Sequence, residues 1–321
     1  MKRVLLLALF CLSAALGTSA RAIDYPTKSI RFVVPFSPGT GMDRIARQVG
    51  EELRANWGQT VTVENRLGAA GHIGAQMVAQ TPPDGYVVLV TASNISITAT
   101  MFRSSSFDAM KDLMPLAIAA YGDSTLVANP NAKFSTLPEM IAMAKANPGK
   151  LTFATPGTGS PQHIAMSLFE QAAGIQFLHI PYKGTAPAIT DTIGGQVDMT
   201  FVATHTVMPY VKSGQLKAIA VAAEKRNPFV SEIPSFGELG VNGVSTQAWY
   251  GFMLPRGTPS DVVAKLHDGI VAALEKPGIK DDLKKFGLDV RPSTPEEMAR
   301  VIHDEYTRYG AIIKRNNIIA E

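Results

Sequence analysis

Two short stretches of this chain hold residues that could do chemistry, and they share four letters. Pro35 to Asp43 reads P-F-S-P-G-T-G-M-D, and Thr155 to His163 reads T-P-G-T-G-S-P-Q-H. The glycines, Gly39 and Gly41 in one and Gly157 and Gly159 in the other, permit positive φ and let backbone come close to a ligand. Each copy precedes a helix-like pattern, and a helix start offers unpaired N–H groups at the positive end of its macrodipole. Ser160 suits an N-cap, with Pro161 at the first helical position. Such a turn can hold an anion without any arginine. Either copy alone reads as an ordinary strand–helix turn. Two copies at corresponding places could grip one anionic ligand from both sides. Ser160 and His163, three apart, also have the types of a nucleophile and its base. No orienting carboxylate or G-x-S-x-G accompanies them, so a cap plus a ligand contact explains them better.

The elements that must position these loops alternate. Ser29–Phe36 is a strand rich in β-branched and aromatic residues, and Met42–Trp57 puts Ile45, Ala46, Val49, Leu53 and Trp57 on one helical face. Val61–Glu64, Tyr86–Thr91, Leu126–Ala128, Leu151–Thr155, Phe177–Pro181, Val197–Phe201, Leu216–Ala222 and Gln247–Leu254 read as strands. Helical patterns cover Gly71–Gln80, Leu137–Ala146, Pro161–Ala173, Thr185–Gly194, Ser260–Leu274, Ile279–Phe286 and Pro295 to about Ile313, the last opened by a capping box at Thr294 and Glu297. The pattern is that of an α/β fold with mostly parallel sheets. Two α/β sets, each with its own P-G-T-G loop, imply two lobes: residues 23–121 and 245–321 as the first, residues 122–244 as the second.

The chain opens MKRVLLLALFCLSAALGTSARA, the charged start, apolar middle and A-x-A end of a secretory signal peptide over residues 1–22. The apolar run is too short for a membrane span. Cys11, the single cysteine, lies inside it. Cleavage after Ala22 would remove Lys2, Arg3 and Arg21 from the 30 basic residues and bring them level with the 27 acidic ones. No basic excess then remains to suggest nucleic acid or an anionic membrane surface. The reading is a soluble, exported, globular protein that relies on packed cores rather than disulfides.

Other residues are weighed singly. Ser93 and Asn94 follow a buried strand at its carboxyl end, where open α/β sheets bind ligands. Lys183 is either a ligand cation or a solvated loop lysine, while Tyr182 packs in its lobe with its hydroxyl near the cleft. His72 and His205 lack metal-ligand spacing and suit surface or capping roles. Glu64-Asn65-Arg66 suits a role in loop geometry, and Trp249 and Tyr250 suit the core. No Walker loop or complete dinucleotide fingerprint is present, so neither cofactor nor metal is expected.

Several segments together resemble one family. They are Tyr25-Pro26, Ile30-Arg31, Val34-Pro35-Phe36-Ser37-Pro38-Gly39, Glu64-Asn65-Arg66, Pro83-Asp84-Gly85-Tyr86, Ala144 to Leu151 (AKANPGKL), His179 to Gly184 (HIPYKG), Gly194 to Asp198 (GGQVD) and Ser293 to Glu297 (STPEE). In this order they resemble the Bug family, the TctC-like periplasmic substrate-binding proteins of tripartite tricarboxylate transporters. The resemblance implies a two-lobed type II hinged trap that closes on a small carboxylate and delivers it to integral-membrane transporter subunits, as a monomer and without catalysis. It implies ligand contacts from Phe36, Ser37, Gly39, Thr40, Gly41 and Asp43 on one side. On the other it implies Thr155, Gly157, Thr158, Gly159, Ser160 and His163; Tyr182, Lys183, Gly184, Phe201 and Val202 are further candidate contacts beside them. Thr40 stands where the family has a second glycine. Phe201-Val202 stands where it has Phe-Asp, which removes a partner for a ligand ammonium and points to a di- or tricarboxylic or aromatic acid rather than an amino acid. The alternatives are a ligand sensor for a membrane-bound kinase and an exported hydrolase using Ser160 and His163.

Overall fold

The structure, a computed structural model, describes residues 24–101, 106–244 and 247–315; the leader reading falls outside them. The first lobe begins with β1 (Ile30–Val34), α1 (Gly41–Trp57), β2 (Val61–Asn65), α2 (His72–Ala79), β3 (Val87–Ala92), α3 (Asn94–Met101), α4 (Ala109–Asp112) and β4 (Leu113–Gly122). The second lobe comprises β5 (Ser124–Ala128), α5 (Leu137–Ala146), β6 (Thr152–Thr155), α6 (Pro161–Ala173), β7 (Leu178–Pro181), α7 (Thr185–Ile193), β8 (Met199–Ala203), α8 (Thr204–Lys212) and β9 (Lys217–Val221). The chain then returns through β10 (Ala248–Pro255), α9 (Ser260–Glu275), α10 (Pro277–Lys285), β11 (Asp289–Val290) and α11 (Pro295–Arg315).

Two sheets result, in the orders β11-β4-β10-β3-β1-β2 and β7-β6-β8-β5-β9. The strands that feed the loops are parallel: β1 with β2 and β3, and β6 with β7 and β8. β4, β10 and β5, which carry the chain from sheet to sheet, pair antiparallel with their neighbours, so both sheets are mixed. Only Asp123 separates β4 from β5. Its carbonyl accepts from the backbone N–H and the hydroxyl of Thr204, at 2.9 and 2.8 Å, which ties the start of α8 to the crossing point.

Each lobe packs its own core. Ile30, Phe32, Ile45, Val49, Leu53, Phe252 and Leu266 are fully buried on one side of the first sheet, and Phe153, Phe169, Phe201 and Phe236 anchor the second. A third cluster spans the lobes. Ile97 of α3 with Tyr309 and Ile313 of α11 meets Ile164 of α6. The capping box of α11 forms as the sequence implies: Glu297 N–H donates to Thr294 Oγ1 at 3.2 Å, and Thr294 N–H donates to Glu297 Oε2 at 2.9 Å.

Candidate functional site

A cavity of about 50 Å3 lies where the lobes face each other. A single water occupies roughly 10–15 Å3 on the same measure, so the space between the facing lobes admits only a few waters. A wider groove of about 660 Å3 on the second lobe, lined by Asn129, Lys133, Lys150 and Asp198 among others, includes neither P-G-T-G loop.

What surrounds the cavity is a set of helix starts. Thr40, Gly41 and Met42 belong to the N-terminus of α1, Asn94 opens α3, Pro161 and Gln162 open α6, Thr185 opens α7, and Ala203, His205 and Thr206 lie at the start of α8. Phe36, Ala92, Pro156, Val202, Ala248 and Tyr250 complete the wall. No Lys, Arg, Asp or Glu is among these residues. Five macrodipoles therefore converge, each equivalent to roughly half a positive charge at its N-terminus, and no side-chain carboxylate in the wall opposes them.

Of the residues expected at the ligand, Phe36, Thr40, Gly41, Asn94 and Val202 line the cavity. The others lie behind or beside it. The Gly39 N–H already donates to the Asp43 carboxylate at 3.0 Å, and Asp43 is only 4% exposed. Asp43 also accepts from Arg47 at 2.9 and 3.0 Å and from Asn65 at 3.1 Å. Burial by itself would raise the pKa of this carboxyl, but these donors outweigh it and hold it below the usual carboxylate range. Asn65 also donates to the carbonyl of Phe36 at 2.9 Å, so it supports loop geometry as its motif implies. Thr40 is the N-cap of α1, yet its hydroxyl turns back to the Ser37 carbonyl at 3.1 Å rather than capping the helix.

In the second loop the tie is neutral. The Gly159 N–H donates to His163 Nδ1 at 3.1 Å, which leaves the ring proton of neutral His163 on Nε2. Burial, with the stacked ring of His179 at 4.0 Å, pushes the His163 pKa down to about 3. Ser160 caps α6 by accepting from the His163 backbone N–H at 3.3 Å. With the serine hydroxyl bonded to backbone and the imidazole bonded to Gly159, the two side chains do not form a nucleophile–base pair. Thr155 Oγ1 lies 2.7 Å from His179 Nε2, and the Gly157 carbonyl is also within its reach. Thr158 stands between Gly157 and Gly159 in this turn.

Several expected roles change. Phe201 is fully buried in the second core because strand alternation turns it away from the cavity, while its neighbour Val202 faces inward. The Tyr182 hydroxyl donates to Asp191 at 2.7 Å rather than reaching the cleft, and burial together with that carboxylate pushes its pKa up to about 12. Lys183 is exposed and off the cavity wall, and Gly184 N–H is used by the Pro156 carbonyl. A Cβ on Gly184 would sit 3.8 Å from Ser37 Oγ, so the two loops do approach each other there. Ser93 is buried behind Asn94 with its hydroxyl unpartnered, and Asn94 spends its amide on the Ala70 carbonyl. His72 and His205 are not at the surface: both are buried, because α2 and α8 begin inside the packed lobes rather than at their rims. Trp249 is core as expected and donates to Glu305, whose pKa burial raises to about 7, whereas Tyr250 is core and cavity wall at once. Among the described residues, no group of three or more His, Cys, Asp or Glu is placed to hold a metal ion. No helix there is long and apolar enough to cross a membrane.

The sheets, the two facing loops and the cavity between them define a two-lobed periplasmic-binding-protein fold. Residues 45–318 match the family model described as the tripartite tricarboxylate transporter family receptor, TctC. Protein BugT of Bordetella pertussis is 31% identical over 310 residues, 96% of this chain and 95% of its own. A Rhodopseudomonas palustris protein solved with adipate superposes with a TM-score of 0.87 at 29% identity, covering 92% of this chain and 99% of that one. MatC from the same organism, solved with bound malate, gives 0.83 at 28%, covering 90% and 100%. The chain belongs to this receptor family and is a Bug-type solute-binding protein.

Proposed function

We propose that this protein captures a small carboxylic acid between its lobes in the periplasm and delivers it to the membrane subunits of a tripartite transporter. One observation carries the reading. Five helix N-termini surround a cavity whose wall has no ionised side chain, an arrangement that favours an anion and offers no carboxylate to an ammonium group. The lobes that part and close are residues 23–121 with 245–321, and residues 122–244. The ligand shifts that equilibrium by binding the closed form better.

The acid's body would meet Phe36, Met42, Ala92, Val202, Ala248 and Tyr250, an apolar and aromatic wall. Di- and tricarboxylic or aromatic acids are the class this favours. That two relatives are solved with adipate and with malate supports it. Glutamate and aspartate fit worse, since Val202 offers their ammonium no carboxylate.

A thermal-shift panel tests the class, with malate, adipate, benzoate, aspartate and glutamate as probes. At a hundred times its dissociation constant a ligand stabilises by about 2.7 kcal/mol, so shifts are expected with one or more of the first three and not with the amino acids. Tight binding of aspartate or glutamate would sink the proposed specificity. Co-purification of transporter subunits, against a sensor kinase, decides the partner.

A further inference from the structure

His205 belongs to the second lobe, in the first turn of α8, but its surroundings belong to the first. Its ring centroid lies 4.6 Å from that of Phe286 and 5.9 Å from that of Tyr250. A Cβ built on Gly41 would sit 3.1 Å from His205 Nε2, so a side chain there would press on the ring. Gly287 borders the residue's Cβ and backbone in the same way, at 3.4 Å and beyond. The residue is 5% exposed, its ring Nδ1 has no hydrogen-bond partner, and it also lines the cavity.

We propose that His205 couples the cavity to lobe closure: the neutral ring docks into the first lobe as a latch, and a proton on it releases the lobes. The proposal rests on the reading of a closing two-lobed binder and deepens it with a regulation of that same site.

The charged and titratable groups packed around the ring all leave it neutral in the closed form. Arg44 of α1 lies with its guanidinium 4.5 Å over the Phe286 ring and is paired with Asp282 of α10 at 2.7 Å. Asp282 is therefore already neutralised. Tyr250 of β10 is buried and un-ionised, since burial, with Asp123 nearby, raises its pKa. The positive end of α8 lies at the ring's own residue. Burial, reinforced by Arg44, holds the His205 pKa at about 3 in this form. A ring freed into solvent would titrate near 6.5.

The sign follows from linkage. The open form binds a proton that the closed form refuses, so closure is undisturbed above pH 7 and weakens as pH falls below about 6.5. Between pH 7.5 and 5.5 the closed-to-open ratio should fall about tenfold.

Spin labels at Ile73→Cys and Leu178→Cys, exposed positions on opposite lobes, report the distance between lobes in a chain whose single cysteine is replaced, Cys11→Ser. With His205 present, the short-distance population should shrink relative to the long one by about tenfold over that pH range. His205→Phe keeps an uncharged ring and should remove the pH step, and His205→Gln should remove it too should the phenylalanine variant not fold. A flat profile with His205 present, or the same step in either variant, overturns the proposal. The measurement uses no ligand, so failure of every acid to bind would count against the proposed function alone.

Discussion

The two P-G-T-G loops begin with the same letters and end in different chemistry. In both, the first or second glycine N–H is committed to a side chain of the following helix four residues on: Gly39 to Asp43, Gly159 to His163. The first loop is held by an ionised group within a network of Arg47 and Asn65, the second by a neutral imidazole stacked on His179. The second gains a serine cap that the first lacks, since Thr40 turns away. The lesson is that the repeated glycines supply a shape, and the residue after the loop decides how firmly and at what pH the shape holds.

The largest effect expected from breaking this contrast is at Asp43. Asp43→Ala leaves Gly39 N–H and Asn65 without their shared acceptor and returns the half-exposed Arg47 to solvent, a loss of about 2–3 kcal/mol on the scale for hydrogen bonds to a charged group, read by urea unfolding. His163→Ala should cost about 1–2 kcal/mol, since a neutral hydrogen bond and a ring contact are lost. Equal losses would erase the distinction between the loops.

Next comes the glycine pair. Gly39 and Gly159 have φ of +83° and +74°, so alanine strains both backbones by about 1 kcal/mol. Nothing lies within 4 Å of a Cβ at Gly39, whereas one at Gly159 runs into Met101 of the opposite lobe. Gly159→Ala should therefore weaken binding of whichever panel acid gives a thermal shift, and Met101→Ala should restore it, while Gly39→Ala changes stability alone. Calorimetric titration separates the two outcomes.

The last contrast between the loops is in pH. Asp43 has a lowered pKa, so its contribution is complete above about pH 4 and is lost only as pH falls through that lowered value. His163 is a base with a lowered pKa, so its contribution is present above about 6.5 and declines as pH falls toward 3. Acid should loosen the second loop first. His163→Gln, neutral at every pH, should flatten the stability curve between pH 6 and 4; an unchanged slope would show that His163 is not responsible.

Much of this was legible in the residues. The apolar faces of α1 and α6, the glycine turns and the Thr294 capping box are local patterns, set by propensity, steric freedom and helical period, and the sequence carries them whole. α3 and α8 were not legible. α3, N-I-S-I-T-A-T-M, is buried on nearly every side, so it has no polar face to give a period, and its β-branched residues argue for strand. α8 carries Pro209 in its interior and Thr and Val around it. Both open onto the cavity, and with α7 they turn two glycine-rich loops into five converging helix starts. β4 was missed as well, although β5, β9 and β10, which also pair antiparallel, read as strands. So the amino-acid order alone determined the family, the two-lobe plan and the loops, because these depend on neighbours in sequence. Which N–H groups are already taken, that Phe201 faces core and Val202 faces the cavity, and that His205 crosses from one lobe into the other depend on residues far apart in the chain. Only packing brings those together, and only the tertiary structure could decide them.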